Sequence, residues 1–310
     1  KIKVTQNSVR IFEMSPRDGL QNEPLSIPTA AKVTLINLLS KCGFADIEAT
    51  SFVSPKWVPQ LADGAAVMVA IDRPPSVSYA ALVPNMTGFD HALAAGVDSI
   101  GIFAAASQSF SQKNINCSIA ESLDRFQPVM AAAAAHKIPV RGYISMVVHC
   151  PDDGDTDPQI VADLASRMMD MGCYQISLGD TVGMAKPPAI QKLLDQCVHA
   201  VGGAYLAGHY HDTGGQALAN IAASLPYGIR CFDASVGGLG GCPYAPGAAG
   251  NVASEAVAEM LSKAGFATGL DHDALAVAAK FASSLRQPPA NRPSTKRPSN
   301  NQPSSKRQTP

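Results

Sequence analysis

The segment from Ala204 to Thr213 has the sequence AYLAGHYHDT, and it decides how the rest of the chain is interpreted. Its apolar first half predicts a buried β-strand, and the glycine pair at 214–215 predicts that the strand ends there. Alternate residues of a strand point to the same side, so His209 and His211 are expected to face the same way. Two imidazoles on one face either form a structural pair or share a metal ion, and the pair alone leaves both alternatives open.

A strand followed by a helix recurs along most of the chain. Helical apolar spacing is present, for example, in Ile119–His136 and Ala189–Val201. Strands that alternate with helices pair in parallel, and eight such units predict an α/β fold, a closed (β/α)8 TIM barrel with catalytic loops at the carboxyl ends of its strands. The predicted strands lie near Val9–Glu13, Asp46–Ser51, Val77–Val83, Ser99–Ala105, Val140–Val147, Tyr174–Asp180, Tyr205–Asp212 and Cys231–Val236.

The composition is typical of a globular protein with a small-molecule partner. The 310 residues are 46% hydrophobic and 16% charged, which is enough apolar material for a sizeable core. The net charge of −1 gives no field that would attract nucleic acid or a membrane surface, so neither is an expected partner. We expect one barrel domain over residues 1–286 and a disordered tail over 287–310, rich in proline, serine and basic residues.

The expected location is cytoplasmic. No apolar stretch reaches the roughly 18 residues of a membrane span, and the start Lys1–Thr5 lacks the apolar core of a signal peptide. The seven cysteines are scattered without Cys-x-x-Cys spacing, which favours a reducing compartment over a disulfide framework. The chain begins without Met, so the mitochondrial matrix is the alternative if a transit segment has been removed.

Polar residues crowd the predicted carboxyl ends of the strands, where TIM barrels carry their active sites. Asp18 with His209 and His211 offers one carboxylate and two imidazoles, a mixed ligand set that suits a divalent ion used as a Lewis acid. Arg17 would supply a positive charge for an enolate or carboxylate oxygen, and the alternative is a structural ion pair with Glu13 or Glu48. Glu48 and Asp180 are further carboxylates on this rim.

A glycine-rich segment, 235–247, follows the eighth strand and predicts a mobile loop. It would carry Cys242 to the rim, where a thiol can exchange a proton with a substrate, and the alternative is an inert buried cysteine. Asn251 is either the N-cap of the helix predicted over Ala253–Lys263 or a neutral oxygen ligand. Trp57, in a proline-punctuated loop after the second strand, is expected to pack over the barrel top.

Taken together, these segments resemble the hydroxymethylglutaryl-CoA lyase family over roughly residues 8 to 286. That family is a metal-dependent (β/α)8 barrel enzyme that cleaves 3-hydroxy-3-methylglutaryl-CoA to acetyl-CoA and acetoacetate, in leucine degradation and ketone body formation. The cysteine loop and the run from Ser51 to Gln60 are characteristic of the lyase branch. The matching segments are Pro16–Glu23, Ser51–Gln60, Lys113–Ser118, His209–Asn220 and Gly238–Asn251.

The resemblance implies a role for each candidate residue, with Mg²⁺ or Mn²⁺ as the cofactor. Arg17 contacts the substrate as a cation, Glu48 is a supporting carboxylate, and Cys242 is the catalytic thiol of the loop. The hypothesis is that His209 or Asp180 removes the proton of the tertiary hydroxyl, after which the carbon–carbon bond breaks and Cys242 protonates the acetyl-CoA enolate. The implied metal ligands are Asp18, His209, His211 and Asn251.

The expected partners are an acyl-CoA substrate and a second copy of the chain in a homodimer. One alternative function is a related condensing enzyme of the isopropylmalate or citramalate synthase type, which shares the Arg-Asp-Gly turn and the His-x-His pair. The Cys242 loop and the lack of a large regulatory domain argue against it. The other alternative is a catalytically inactive metal-binding homologue, which would hold the metal without turnover.

Overall fold

The computed structural model describes residues 7–242 and 245–287, and for 241, 242 and 245–249 this description covers the backbone. The strands are β1 (Arg10–Glu13), β2 (Asp46–Ser51), β3 (Ser78–Leu82), β4 (Ser99–Ala105), β5 (Val140–Ser145), β6 (His149–Cys150), β7 (Gly154–Asp155), β8 (Gln175–Asp180), β9 (Leu206–Tyr210), β10 (Cys231–Ala234), β11 (Gly241–Cys242) and β12 (Ala245–Ala249). The α-helices are α1 (Thr29–Leu39), α2 (Gly64–Ala70), α3 (Met86–Ala94), α4 (Gln108–Ile115), α5 (Ile119–His136), α6 (Pro158–Asp170), α7 (Pro187–Val201), α8 (Ala217–Ser224), α9 (Ser254–Lys263) and α10 (His272–Ser284).

Eight of these strands form a closed parallel barrel. Their order around the barrel is β1-β10-β9-β8-β5-β4-β3-β2, and β2 pairs with β1 to complete the ring. Two short antiparallel hairpins, β6-β7 and β11-β12, lie in the connections between barrel elements. The predicted (β/α)8 TIM barrel is therefore confirmed.

Apolar side chains pack on both sides of the barrel wall because successive strand residues face opposite ways. On β1, Ile11 joins the large core between the strands and the helices, whereas Phe12 joins a separate small cluster of strand residues. That cluster also contains Tyr143 of β5 and Ala207 of β9, so it fills the barrel interior. The helix layer and the filled interior together hold the strand ends, and the loops they carry, in fixed positions.

The predicted boundaries differ from the observed ones at the strand that carries the histidines. β9 ends at Tyr210, and Tyr205, which was predicted to be in the strand, lies in a short 3-10 turn instead. His211 therefore lies just beyond β9, where its backbone forms an isolated bridge with Asn251. This bridge brings the segment before α9 against the tip of β9.

The structure also bears on the predictions about the cysteines, a membrane crossing, Trp57 and the tail. The six cysteines whose side chains are described are buried and free of disulfide bonds. Within the described residues, the structure contains no helix with the length and hydrophobicity that a membrane crossing requires. Trp57 is 75% exposed, so the expectation that it packs over the barrel top was wrong. Apart from Gln287, the predicted disordered tail lies outside the described residues.

Candidate active site

Asp18, His209 and His211 converge at the carboxyl-terminal rim of the barrel. Asp18 lies in a π-helical turn, Ser15–Gly19, directly after β1, and the two histidines lie at the tip of β9. The Nε2 atoms of the histidines are 3.2 Å apart, and each is 3.8 Å from Oδ2 of Asp18. Ligand atoms of these three residues all lie within 4.8 Å of one another, which is the spacing expected of a metal site.

Asn251 is next to this cluster. Its side-chain amide donates a 2.7 Å hydrogen bond to Oδ2 of Asp18, the same oxygen that faces both imidazoles. The helix that follows begins at Ser254 with Ala253 in the cap position, so the N-cap alternative for Asn251 was wrong. A half-turn of the amide would direct its oxygen, in place of its nitrogen, toward the cluster.

The orientation of His209 suits metal binding. Its Nδ1 atom is 3.1 Å from Oδ2 of Asp233 on the neighbouring strand β10, and because an ionised carboxylate only accepts hydrogen bonds, Nδ1 carries the proton. The lone pair of the neutral ring is therefore on Nε2, which faces His211 and Asp18. Metal-bound imidazoles commonly donate their other N–H to a carboxylate in this way. The donor atoms present thus fit a divalent cation.

The electrostatics of the cluster set the charge of Asp18 and of the two imidazoles. Burial and the neighbouring His209 lower the pKa of His211 to about 4, so this imidazole is neutral near pH 7. Burial alone would lower the pKa of His209, but its hydrogen bond to Asp233 raises it above the usual value. Burial would likewise raise the pKa of Asp18, but Arg17 and both histidines hold it below the usual value. Asp18 is therefore an anionic group beside two nitrogen donors.

Arg17 lies next to the cluster, buried between the carboxylates of Asp18 and Glu48. Its Nη1 atom is 2.6 Å from Oδ1 of Asp18, and its Nε atom donates to Oε2 of Glu48 on β2. Oε1 of Glu48 accepts the hydroxyl of Tyr143 at 3.1 Å. The tyrosine ring has room because Gly101 of β4, which pairs with Arg141, has no side chain; a Cβ atom there would lie 2.6 Å from the ring. Arg17 is thus held in one orientation beside the proposed metal ligands.

Of the two ion-pair alternatives for Arg17, the structure contains the one with Glu48. Glu13 is fully buried and instead accepts hydrogen bonds from the backbone N–H groups of Ser15 and Val236 and from the hydroxyl of Ser254. An ion pair between Arg17 and Glu48 does not exclude a role toward substrate, because it fixes the guanidinium at the rim. That role stays a prediction.

The glycine-rich segment is anchored at its amino-terminal end. Glu13 accepts from Val236 N–H at 3.0 Å, and Glu255 accepts from Gly237 N–H at 3.1 Å. Arg286, just after α10, donates to the carbonyl of Gly238 at 2.6 Å. The backbone then forms the hairpin β11-β12, which includes Cys242 and leads to Asn251. The Cys242 side chain lies outside the described residues, so its predicted position as a catalytic thiol stays a prediction.

Asp180 does not join the metal-ligand cluster. Its carboxylate accepts N–H groups from Gly183 at 3.1 Å and from Ala185 at 2.9 Å, and so closes the turn that follows β8. Gly183 has a φ of 71°, and a Cβ atom there would lie 2.9 Å from Cβ of His211. Asp180 therefore shapes the turn that packs behind His211. Its predicted role as a base stays a prediction.

Three residues of the site were not predicted from the sequence. Asp233, Arg141 and Tyr143 all lie inside the barrel, each at most 8% exposed. A signal for Asp233 and Arg141 was present, since each is a charged residue inside an otherwise apolar strand, and a buried charge requires a partner. Tyr143 gave no comparable signal, because a tyrosine is ordinary in a strand.

A polar cluster of this composition on the carboxyl-terminal rim of a (β/α)8 barrel defines a TIM-barrel enzyme. Comparison with known families is more specific. The chain belongs to the HMGL-like family, whose model matches residues 8–281.

Curated and solved relatives have lyase names. A 3-hydroxy-3-isohexenylglutaryl-CoA/hydroxy-methylglutaryl-CoA lyase from Pseudomonas aeruginosa is 55% identical over 86% of this chain and 89% of its own length. The crystal structure of an HMG-CoA lyase from Brucella melitensis is 55% identical, with a TM-score of 0.90 over 91% of this chain and 100% of that one. An HMG-CoA lyase from Acinetobacter baumannii, solved with coenzyme A and 3-methylmalate, is 34% identical, with a TM-score of 0.86 over 96% and 99% of the two chains.

Proposed function

We propose that this protein is a carbon–carbon lyase that cleaves 3-hydroxy-3-methylglutaryl-CoA to acetyl-CoA and acetoacetate. The observation that carries the proposal is the 55% identity, over 86% of the chain, to a curated lyase of that substrate class. The arrangement of Asp18, His209 and His211 at one rim supports it, because retro-Claisen cleavage needs a means of activating a hydroxyl group. These similarities do not favour the condensing-enzyme alternative.

We further propose that Asp18, His209, His211 and Asn251 hold a divalent ion, with Mg²⁺ or Mn²⁺ as the expected metal. The set combines a carboxylate oxygen and an amide oxygen with two imidazole nitrogens, and it leaves coordination positions for substrate. When bound, such an ion acts as a Lewis acid that lowers the pKa of a coordinated hydroxyl and polarises a neighbouring carbonyl.

Arg17 and Cys242 would act on the charge and the proton of the leaving enolate. Arg17 is buried and held by Glu48 and Asp18, so its guanidinium is a fixed positive charge beside the reaction centre. A charge that is preorganised in this way stabilises a developing enolate oxygen without having to reorient. Cys242, on the hairpin that leads to Asn251, would donate its proton to the enolate carbon and so complete acetyl-CoA.

The proton of the substrate hydroxyl needs a base, and His209 and Asp180 remain the candidates. Nε2 of His209 is the nitrogen that faces the cluster, but metal binding and proton acceptance both need its single lone pair. Burial raises the pKa of Asp180, which favours proton acceptance, whereas the hydrogen bonds from Gly183 and Ala185 oppose it. The pH dependence of kcat in Asp180→Asn separates the two, because this variant leaves the proposed metal ligands in place. Loss of the acidic limb of the profile would assign the base to Asp180, and an unchanged limb would exclude Asp180.

The wider context stays proposed as well. The relative solved with coenzyme A supports an acyl-CoA as the substrate, and the product acetoacetate would place the enzyme in leucine degradation or ketone body formation. Curated relatives have both mitochondrial and cytoplasmic names, so we retain the cytoplasm as the proposed location and the matrix as its alternative. The homodimer, and the absence of nucleic-acid and membrane partners, remain predictions.

The decisive experiment is turnover by the purified protein. We expect acetoacetate to accumulate when 3-hydroxy-3-methylglutaryl-CoA is supplied with Mg²⁺ or Mn²⁺, and to stop after chelation. Parallel assays with 3-hydroxy-3-isohexenylglutaryl-CoA would test whether a bulkier 3-substituent is accepted, since one relative has both substrates in its name. Metal binding without acetoacetate would instead support the inactive homologue, and undiminished turnover after exhaustive metal removal would remove the metal from the mechanism.

A further inference from the structure

A buried charged network lies inside the barrel directly below the proposed metal ligands. Asp233 of β10 is at its centre, and its side chain has no solvent exposure. Its Oδ2 atom is 3.1 Å from Nδ1 of His209 and accepts the hydroxyl of Ser177 at 2.7 Å. Arg141 reaches both carboxylate oxygens from β5, on another side of the barrel, with Nη2 2.7 Å from Oδ1 and Nη1 3.0 Å from Oδ2.

The contact between Arg141 and Asp233 fixes the plane of the carboxylate. Two parallel N–H donors bind two oxygens only in one relative orientation, unlike the point contact that a lysine makes. Arg141 is itself held, because its Nε atom donates to Gln175 at 3.0 Å and its guanidinium lies 4.4 Å from the centre of the Phe12 ring. With the carboxylate plane set, Oδ2 is directed at Nδ1 of His209.

That contact determines which nitrogen of His209 has the lone pair. A carboxylate held by Arg141 and Ser177 offers Nδ1 an acceptor and no donor, so the neutral imidazole is protonated on Nδ1. Nε2 is then left with its lone pair pointing toward His211 and Asp18. The opposite tautomer would place a hydrogen on Nε2, where a metal ion would have to bind.

We propose that Asp233, oriented by Arg141, is a positioning residue that fixes the tautomer and ring orientation of His209 and thereby prepares Nε2 to bind the metal. The inference rests on the proposed metal site and extends it into the barrel interior. Both residues are buried inside the barrel, and Asp233 contacts His209, so we infer that both act through His209. Loss of an outer carboxylate of this kind typically weakens metal binding by about 10- to 100-fold.

Asp233→Asn tests the proposal with little change in side-chain size. Arg141 needs acceptor atoms, so the new amide would direct its oxygen to Arg141 and its N–H₂ group toward His209, and Nδ1 would have to become the acceptor. We expect metal-stripped Asp233→Asn to bind Mn²⁺ about 10- to 100-fold more weakly than wild type, measured by electron paramagnetic resonance titration. Arg141→Lys, which keeps the charge but loses the two-point contact, should weaken binding less than Asp233→Asn.

Asp46→Asn is the matched control. Asp46 is also a buried strand carboxylate paired with an arginine, at 3.1 Å from Arg10. The charges of Arg141 and Asp233 act on Asp46 as well, but no hydrogen bond or ion pair among the described residues joins it to His209. We expect Asp46→Asn to leave Mn²⁺ affinity within about twofold of wild type. Unchanged affinity in Asp233→Asn, or equal losses in Asp233→Asn and Asp46→Asn, would overturn the assignment.

The wild-type protein provides a test that does not depend on the folding of a variant. The ¹⁵N shifts of the His209 ring, measured on metal-free protein at alkaline pH, distinguish a protonated nitrogen from an unprotonated one. We expect Nδ1 to be protonated and Nε2 not, and the reverse pattern would overturn the proposal. If wild type bound no Mn²⁺, the proposed metal site would fail, whereas this measurement would still decide whether Asp233 sets the tautomer.

Discussion

Glu13 is a buried carboxyl group at the end of β1, and we predict that its ionisation destabilises the fold. It accepts hydrogen bonds from Ser15 N–H at 2.9 Å, Val236 N–H at 3.0 Å and the Ser254 hydroxyl at 2.6 Å. Burial outweighs these bonds and raises the pKa of Glu13 from 4.5 to about 7. The nearby Cys42 remains a neutral thiol, because burial raises its pKa to about 12.

The raised pKa of Glu13 determines how the stability of the fold changes with pH. Since the pKa is higher in the folded state, the folded protein holds the proton more tightly than the unfolded chain, and stability decreases as the pH rises. The loss begins near the unfolded value of 4.5 and levels off above the folded value of about 7. At about 1.4 kcal/mol per pKa unit the full loss is about 3.5 kcal/mol, of which about 2.5 kcal/mol falls between pH 5 and pH 8.

Glu13→Gln isolates this contribution, because glutamine has the shape of the protonated carboxyl group and does not titrate. We would measure urea unfolding of both proteins at pH 5, 6, 7 and 8 and subtract the two free energies at each pH. The subtraction cancels the contributions of the other titrating groups to the free energy of unfolding, because both proteins share them. We expect the variant to gain about 2.5 kcal/mol relative to wild type across this range. A constant difference would refute the reasoning, because the three hydrogen bonds would then outweigh burial.

Three further predictions concern the loop and the tail. Cys242→Ala should lower turnover by roughly two orders of magnitude or more while leaving Mn²⁺ affinity intact, as expected for a lost proton donor, and near-normal turnover would remove the thiol from the mechanism. Arg286→Ala removes the donor to the Gly238 carbonyl and should lower kcat by about fivefold. This factor is equivalent to about 1 kcal/mol, the scale of a partly exposed contact. Lys263→Ala, which removes an exposed ion pair, should leave kcat unchanged. Deleting residues 288–310 should change neither melting temperature nor turnover, and a marked fall in either would show that this segment docks on the barrel.

The barrel could be predicted from the sequence because its signals are local. Each strand is a short apolar run, each helix has its own periodicity, and the count of eight units determines the closure. Asp18 and the histidine pair could be placed on one rim for the same reason, since parallel strands all end on one side. The boundary error at His211 is also local in origin, because alternation continues past Tyr210 while the strand pairing does not.

The rest of the site depends on contacts between distant parts of the chain. Arg141 and Asp233 meet across the barrel interior, and nothing near either residue in the sequence identifies its partner. Spacing left Asn251 as either a helix cap or an oxygen ligand because it precedes a helix, and only the structure shows that its neighbours are Asp18 and the backbone of His211. Trp57 was expected to pack because it is large and apolar, yet a loop side chain is buried only if another element covers it.

The pairing of β1 with β10 has a consequence for the synthesis of the protein. Asp18 emerges from the ribosome early, whereas Asn251, its hydrogen-bond partner, follows 233 residues later. Glu13 likewise accepts a hydrogen bond from Ser254, which is synthesised 241 residues later. During translation β1 therefore has a neighbour on one side only, and its other edge offers unpaired backbone groups to any strand nearby. A nascent chain cannot bring Asp18 and Asn251 together, so the rim cluster forms after the last strands have left the ribosome. Early protection of β1 by chaperones would favour correct closure.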